Sequence, residues 1–209
     1  MKIVAPKYGH GKGYILGPDN FYKKALHANI KNGGHLPHWQ QENVMQFITF
    51  RLADSLPQEK LKEFQETLDE WIKQHPGQWS DEEIDDYNDL CESLDKYLDT
   101  GFGECVLKFR EVQNIVESAI KFFDGDRYDL FDYIIMPNHV HLLLIPSIEY
   151  SVEEITHSIK SYTAKRINTI LGKTGKIWQR ESFDRMLRSF GDYVDKVEYI
   201  KHNGDNIHV

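Results

Sequence analysis

His139 and His141 flank a single valine in the run Met136-Pro137-Asn138-His139-Val140-His141-Leu142-Leu143-Leu144. So apolar a run reads as a strand, in which residues two apart project to the same face. The two imidazoles then stand side by side, while Val140, Leu142 and Leu144 face the other way, toward packing helices. Neutral imidazoles so placed are ligands for a divalent ion, although two ligands are only part of a site. Taken alone the pattern has two readings: part of a metal centre, or two histidines at the edge of a core. Either way, ring nitrogens buried in this strand require a metal or a hydrogen-bond network. Cys91 and Cys105 are the only thiols and share no ligand spacing, so Mg2+ or Mn2+ acting on a phosphate suits the residues better than a structural zinc.

A second candidate pair is Tyr199 and Asn203. Val194, Val197 and Ile200 predict a helix over 192–201, and residues four apart share a helix face where the last turn persists. A phenol, with a pKa near 10, can attack a phosphodiester when a base, a cation or a metal lies beside it. The Asn203 carboxamide can offer a neutral oxygen to a metal. Residue type alone does not single out Tyr199 among 11 tyrosines, and a half-buried helix tyrosine is the other reading.

The elements that must position these groups follow from periodicity. Residues 1–42, rich in Gly, Asn, His and Lys, read as loops with short turns, and their glycines lack the GxGxxG spacing of a dinucleotide site. A strand spans 43–53, with two helices over 58–75 and 80–98, the second opened by a Ser80/Glu83 capping box. A third helix covers 104–123. Strands over 128–136 and 139–145 form a hairpin around Pro137-Asn138, and Ser151 with Glu154 caps a helix reaching about 170. A short strand around 182–188 precedes the last helix. With the 58–99 pair set aside, the order strand, helix, strand, strand, helix, strand, helix predicts an α+β, ferredoxin-like fold. It has a four-stranded antiparallel sheet with helices on one face, leaving the other face free for chemistry, and one additional C-terminal helix.

The 209 residues suffice for one full core; the expected organisation is a single domain over 1–209, with an inserted acidic helical hairpin at 58–99 and a basic, Gly-rich N-terminal arm at 1–42. No run of eighteen apolar residues predicts a membrane span, and the start lacks the apolar stretch of a signal peptide. With only two cysteines, a cytoplasmic, reducing location is expected. The formal net charge of −8 argues at first against nucleic acid, but residues 58–99 hold 14 acidic and 4 basic side chains, leaving the remainder at +2. Basic groups cluster in 1–40 and in 160–188, where the plain alternative is solvated surface.

The motif around His139 and His141 is followed by Trp178-Gln179, Glu181-Ser182-Phe183-Asp184, Arg188 and Glu198-Tyr199-Ile200-Lys201-His202-Asn203. This ordered set resembles the single-tyrosine HUH transposases of the IS200-like type, especially the branch associated with repeated extragenic palindromes. The resemblance covers strand 44–54 loosely and 104–203 well. It implies a tyrosine nuclease in which His139, His141 and Asn203 hold one Mg2+ or Mn2+ and Tyr199 is the nucleophile. It further implies single-stranded or hairpin DNA as partner, cleavage through a 5′-phosphotyrosine link, rejoining by a 3′-hydroxyl, and no nucleotide cofactor. Relatives include dimers that share sites, which makes a homodimer one expected assembly, and forms that act as monomers. Candidate phosphate contacts are Lys160, Lys165, Arg166, Lys173, Lys176, Arg180, Arg185 and Arg188, with Lys7 and Lys12 on an arm that reads bases. Trp178 either stacks on a base or belongs to the core. The chain departs from the pattern at Asn203-Gly204, where the family usually has Asn-Pro and more sequence, so Asn203 is expected on a frayed end. The acidic hairpin is expected to project away from DNA or to regulate access. The rival expectations are a domesticated hairpin-binding protein without efficient cleavage and a protein-interaction module built on the acidic hairpin.

Overall fold

The computed structural model describes residues 3–5, 14–23, 29–31, 38–76 and 79–206. Lys7 and Lys12 lie outside the described residues. Two short antiparallel pairs come first, β1 (Ile3–Ala5) with β2 (Tyr14–Leu16) and β3 (Asn29–Lys31) with β4 (His38–Gln40). Three-residue strands are too short to leave an alternating pattern, which is why this region reads as loop.

The main elements follow as β5 (Gln46–Arg51), α1 (Gln58–Gln74), α2 (Asp81–Leu98), α3 (Arg110–Phe122), β6 (Tyr128–Ile135), β7 (His139–Pro146), α4 (Val152–Leu171), β8 (Phe183–Met186) and α5 (Phe190–Asn206). Strands β6-β7-β5-β8 form one sheet in that order, every pairing antiparallel. Strand, helix, hairpin, helix, strand in this order is the expected ferredoxin-like arrangement. The 104–123 helix begins later than its apolar pattern suggests. Cys105 takes φ 53°, a one-turn 3-10 segment covers Val106–Lys108, and α3 starts only at Arg110.

Side-chain alternation divides the core. Val140, Leu142 and Leu144 of β7, with Ile48 and Phe50 of β5, pack beneath Val112, Val116 and Ile120 of α3 and Ile155, Ile159 and Ile167 of α4. The capping box at the start of α4 is present, Ser151 Oγ accepting from the Glu154 N–H and Glu154 reaching back to the Ser151 N–H. The opposite face is not bare. Phe47, Leu143, Ile145, Phe131 and Ile134 meet Tyr193 and Ile200 of α5 there. The apolar spacing of α5 shows that it needs a partner but not which face it covers.

Helices α1 and α2 occupy the β8 side of the sheet. Leu68 and Tyr87 cluster with Val44 and Met186, while Leu94 and Leu98 cluster with Leu56, and Phe183 packs against both groups. The apolar stripe of the acidic hairpin is thus seated on the main sheet. No helix among the described residues is long and apolar enough to cross a membrane.

Candidate metal and nucleophile site

The site begins at the tight connection between β6 and β7, where the Met136 N–H bonds to the His139 carbonyl at 2.9 Å. Asn138 is buried, and its Nδ2 donates to the carbonyls of Leu98 and Phe102, each at 3.1 Å. Two carbonyl acceptors fix which end of the amide is nitrogen. Oδ1 therefore faces His139 Nδ1, at 2.7 Å, and that ring nitrogen must carry the proton. His139 Nε2 is left with its lone pair, pointing at His141 Nε2 only 2.9 Å away. The arrangement is coherent in two ways: His141 Nε2–H donates to His139, or both lone pairs converge on one cation.

His141 is held from its other side by Thr49 Oγ1, 2.9 Å from Nδ1, and by Phe47, whose ring stacks on it at 5.1 Å and 18°. Both partners come from β5, whose Thr49 lies directly across from His141 in the register. Burial keeps both imidazoles neutral, lowering His139 to about 3 and His141 well below its ordinary 6.5. Neutral rings with a fixed outer nitrogen are the form in which histidine binds metal. Across from His139 stands Arg51, itself buried, with Nη1 donating to Ser55 Oγ at 3.2 Å and its pKa lowered to about 10 by burial.

Tyr199 comes to the same place from α5. Its hydroxyl lies 3.4 Å from His141 Nε2 and donates to Asp99 Oδ2 at 3.3 Å. Asp99 Oδ1 is 3.6 Å from His139 Nε2. One ligand atom each from Asp99, His139 and His141 thus fall within 4.8 Å of one another. Partial burial raises the Asp99 carboxyl above its ordinary range, against the opposing hydrogen bond from Tyr199. Asp99 is missed by sequence reasoning, because it is one acid among 14 in an acidic segment and nothing local distinguishes it.

The turn after α2 explains its placement. Gly103 adopts φ +98°, and a Cβ there would sit 2.6 Å from the Asp54 carbonyl oxygen, so only glycine passes. The Glu104 N–H bonds to Asp54 Oδ2 at 2.9 Å and the Leu107 N–H to the Pro137 carbonyl at 3.2 Å. Asn138 thus clamps the carbonyls on either side of Asp99 to the histidine strand. Asn203, one turn beyond Tyr199, is 9% exposed, and its Nδ2 has no hydrogen-bond partner among the described residues. Because α5 continues through Asn206, Asn203 lies within the helix rather than on the expected frayed end.

The expected phosphate contacts separate into groups. Lys165, Arg166, Lys173, Lys176 and Arg180 are exposed, although Lys173 pairs with Glu104 and Lys176 bonds to Gln179 Oε1 at 3.1 Å. Lys160 is turned inward, donating to the Arg180 carbonyl at 2.7 Å and Ser182 Oγ at 2.8 Å, with burial lowering it to about 8. Arg185 and Lys196 both meet Glu92, at 2.5 and 2.7 Å, and Arg188 meets Asp85 at 2.7 Å. Trp178 belongs to the core, packed edge-on against Phe50 with Nε1 donating to Thr163 Oγ1 at 2.8 Å.

Residues 106–203 match the family model described as transposase IS200 like. Among solved structures, one of the REP-associated tyrosine transposase bound to a REP hairpin is 16% identical, with a TM-score of 0.41, covering 78% of this chain and 67% of that one. A protein of Deinococcus radiodurans assigned as a transposase is 11% identical, with a TM-score of 0.40, covering 77% of this chain and 90% of that one. No curated protein matches the sequence.

Proposed function

Because residues 106–203 match the IS200-like transposase family model, a match that supports an enzyme of the transposase kind, we propose that the protein cuts and rejoins single-stranded, hairpin-containing DNA through Tyr199. The observation that carries this reading is the approach of the Tyr199 hydroxyl to His141 Nε2, at 3.4 Å, beside a second imidazole on the same strand. A hydroxyl nucleophile next to neutral nitrogen ligands is the pairing that attack on a phosphodiester requires.

His139, His141 and Asn203 would hold Mg2+ or Mn2+. One feature fits: the lone pair on His139 Nε2 faces the second imidazole. Asn203, buried one turn beyond Tyr199, would contribute its Oδ1. A bound ion would supply positive charge to a phosphate oxygen and to the negative charge that grows in the transition state. Tyr199 Oη attacks phosphorus and gives up its proton to a base within reach. A phosphorus–oxygen bond to tyrosine forms, the bond to the 3′ oxygen breaks, and that oxygen takes up a proton. The products are a 5′-phosphotyrosine and a free 3′-hydroxyl, and attack by a 3′-hydroxyl on the link reverses the step and rejoins strands. The energy of the phosphodiester is retained in the covalent link, so no nucleotide is consumed. Lys165, Arg166, Lys176 and Arg180 would meet phosphates in passing, and Lys7 and Lys12 would belong to a base-reading arm.

The test is labelled single-stranded hairpin DNA incubated with the protein and Mn2+, followed by denaturing electrophoresis. A covalent protein–DNA band forms with the native chain, is absent with Tyr199→Phe, and falls by about a hundredfold or more with His139→Ala. Absence of the band across a panel of hairpins with varied flanking sequence overturns the reading.

A further inference from the structure

Resting on the proposed metal-dependent reading, we infer that Asp99, delivered by the acidic helical hairpin, is a metal ligand through Oδ1 and orients the nucleophile through Oδ2. The two oxygens of one carboxylate face different partners: Oδ1 lies 3.6 Å from His139 Nε2, and Oδ2 accepts the Tyr199 hydroxyl at 3.3 Å. A carboxylate beside two neutral imidazoles makes a mixed oxygen and nitrogen set suited to Mn2+ or Mg2+. It also brings a formal negative charge, which neither the imidazoles nor a carboxamide provides.

The placement is built rather than incidental. The amide of Asn138 grips the carbonyls of Leu98 and Phe102, which bracket Asp99, while its oxygen fixes the tautomer of His139. One side chain therefore sets both the lone pair on the imidazole and the position of the carboxylate opposite it. Leu94 and Leu98, buried against Leu56, hold the last turn of α2 from behind. An acidic segment that should repel DNA is thus kept at the site by a helix end whose final carboxylate completes the ligand set.

Mn2+ binding to the full chain, measured by calorimetry without DNA, tests this apart from catalysis. The native protein binds one Mn2+. Asp99→Asn weakens that binding at least about tenfold, whereas Asp89→Asn, at an exposed acid on the preceding helix α2, leaves it unchanged. Thermal unfolding of the metal-free variants identifies any that fail to fold, and Asp99→Ala serves as the second variant. If Asp99→Asn binds as tightly as the native chain while His139→Ala and His141→Ala do not, the assignment of Asp99 is overturned and the histidine centre stands. If the native chain does not bind Mn2+, or the histidine variants bind as it does, the metal-centre reading is overturned, and the Asp99 assignment with it.

Discussion

At the scale of single residues, Asn138 organises the site although it carries no chemistry of its own. Its Nδ2 satisfies two carbonyls and its Oδ1 receives the His139 Nδ1–H, all in a buried setting. Replacement by alanine leaves those three groups without their partner, each a desolvation penalty that exceeds the net value of an exposed hydrogen bond. Asn138→Ala is expected to lower the unfolding free energy by about 2–4 kcal/mol and, through the freed His139 ring, to weaken Mn2+ binding. Denaturant titration and calorimetry on one preparation check both. Asn138→Asp, which cannot donate to the two carbonyls, is expected to behave like the alanine variant.

At the scale of elements, the acidic helix α2 is matched by individual cations from β8, the turn after it and α5. Glu92 receives Arg185 from β8 and Lys196 from α5, while Asp85 receives Arg188. These cations are partly buried, with side-chain exposures of 24%, 15% and 23% respectively, so their pairing is shielded more than a surface salt bridge. Their charge is spent within the molecule, whereas Lys165, Arg166 and Arg180 remain exposed. Glu92→Gln is expected to cost about 1–2 kcal/mol of stability. It should also tighten retention on single-stranded DNA at low ionic strength, by removing the shared carboxylate partner of Arg185 and of Lys196, whose ammonium lies 5.8 Å from the centre of the Tyr199 ring. Thermal melts and salt-elution profiles of the variant against the native chain measure the two effects.

At the scale of the whole molecule, two neutral histidines buried at the junction of sheet, α2 and α5 tie global stability to pH. Their folded pKa values lie below the unfolded value near 6.5, to about 3 for His139 and well below the ordinary value for His141. The unfolded chain therefore takes up protons that the folded chain refuses. Their contribution is fully present above pH 6.5 and is lost as pH falls toward 3, at up to about 1.4 kcal/mol per pH unit for each histidine. Urea midpoints of the metal-free protein should thus drop steeply between pH 6.5 and 4, and the drop should be shallower for His139→Gln. A midpoint independent of pH over that interval would contradict the burial of the pair.

Much of this architecture was legible in the one-dimensional pattern. Alternation in 139–145 put both histidines on one face, the Ser151/Glu154 and Ser80/Glu83 boxes marked helix starts, and the order of elements led to a four-stranded antiparallel sheet. These are local signals, carried by residues two to four apart, and they survive folding because backbone geometry imposes the same periods everywhere. What tertiary structure decided is which distant groups meet. Asp99 and Tyr199 are 100 residues apart in the chain and share a hydrogen bond, and neither stands out among its own kind by type or spacing. Likewise, the acidity of α2 suggested only repulsion from DNA, whereas the buried apolar side of the hairpin seats it on β8 and lets its carboxylates pair with the protein's own cations. Sequence thus determined the faces and the candidate histidines. The packing of α5 and of the turn after α2 onto one sheet face determined which carboxylate stands beside them, and brought in Tyr199, which only the family motif had singled out.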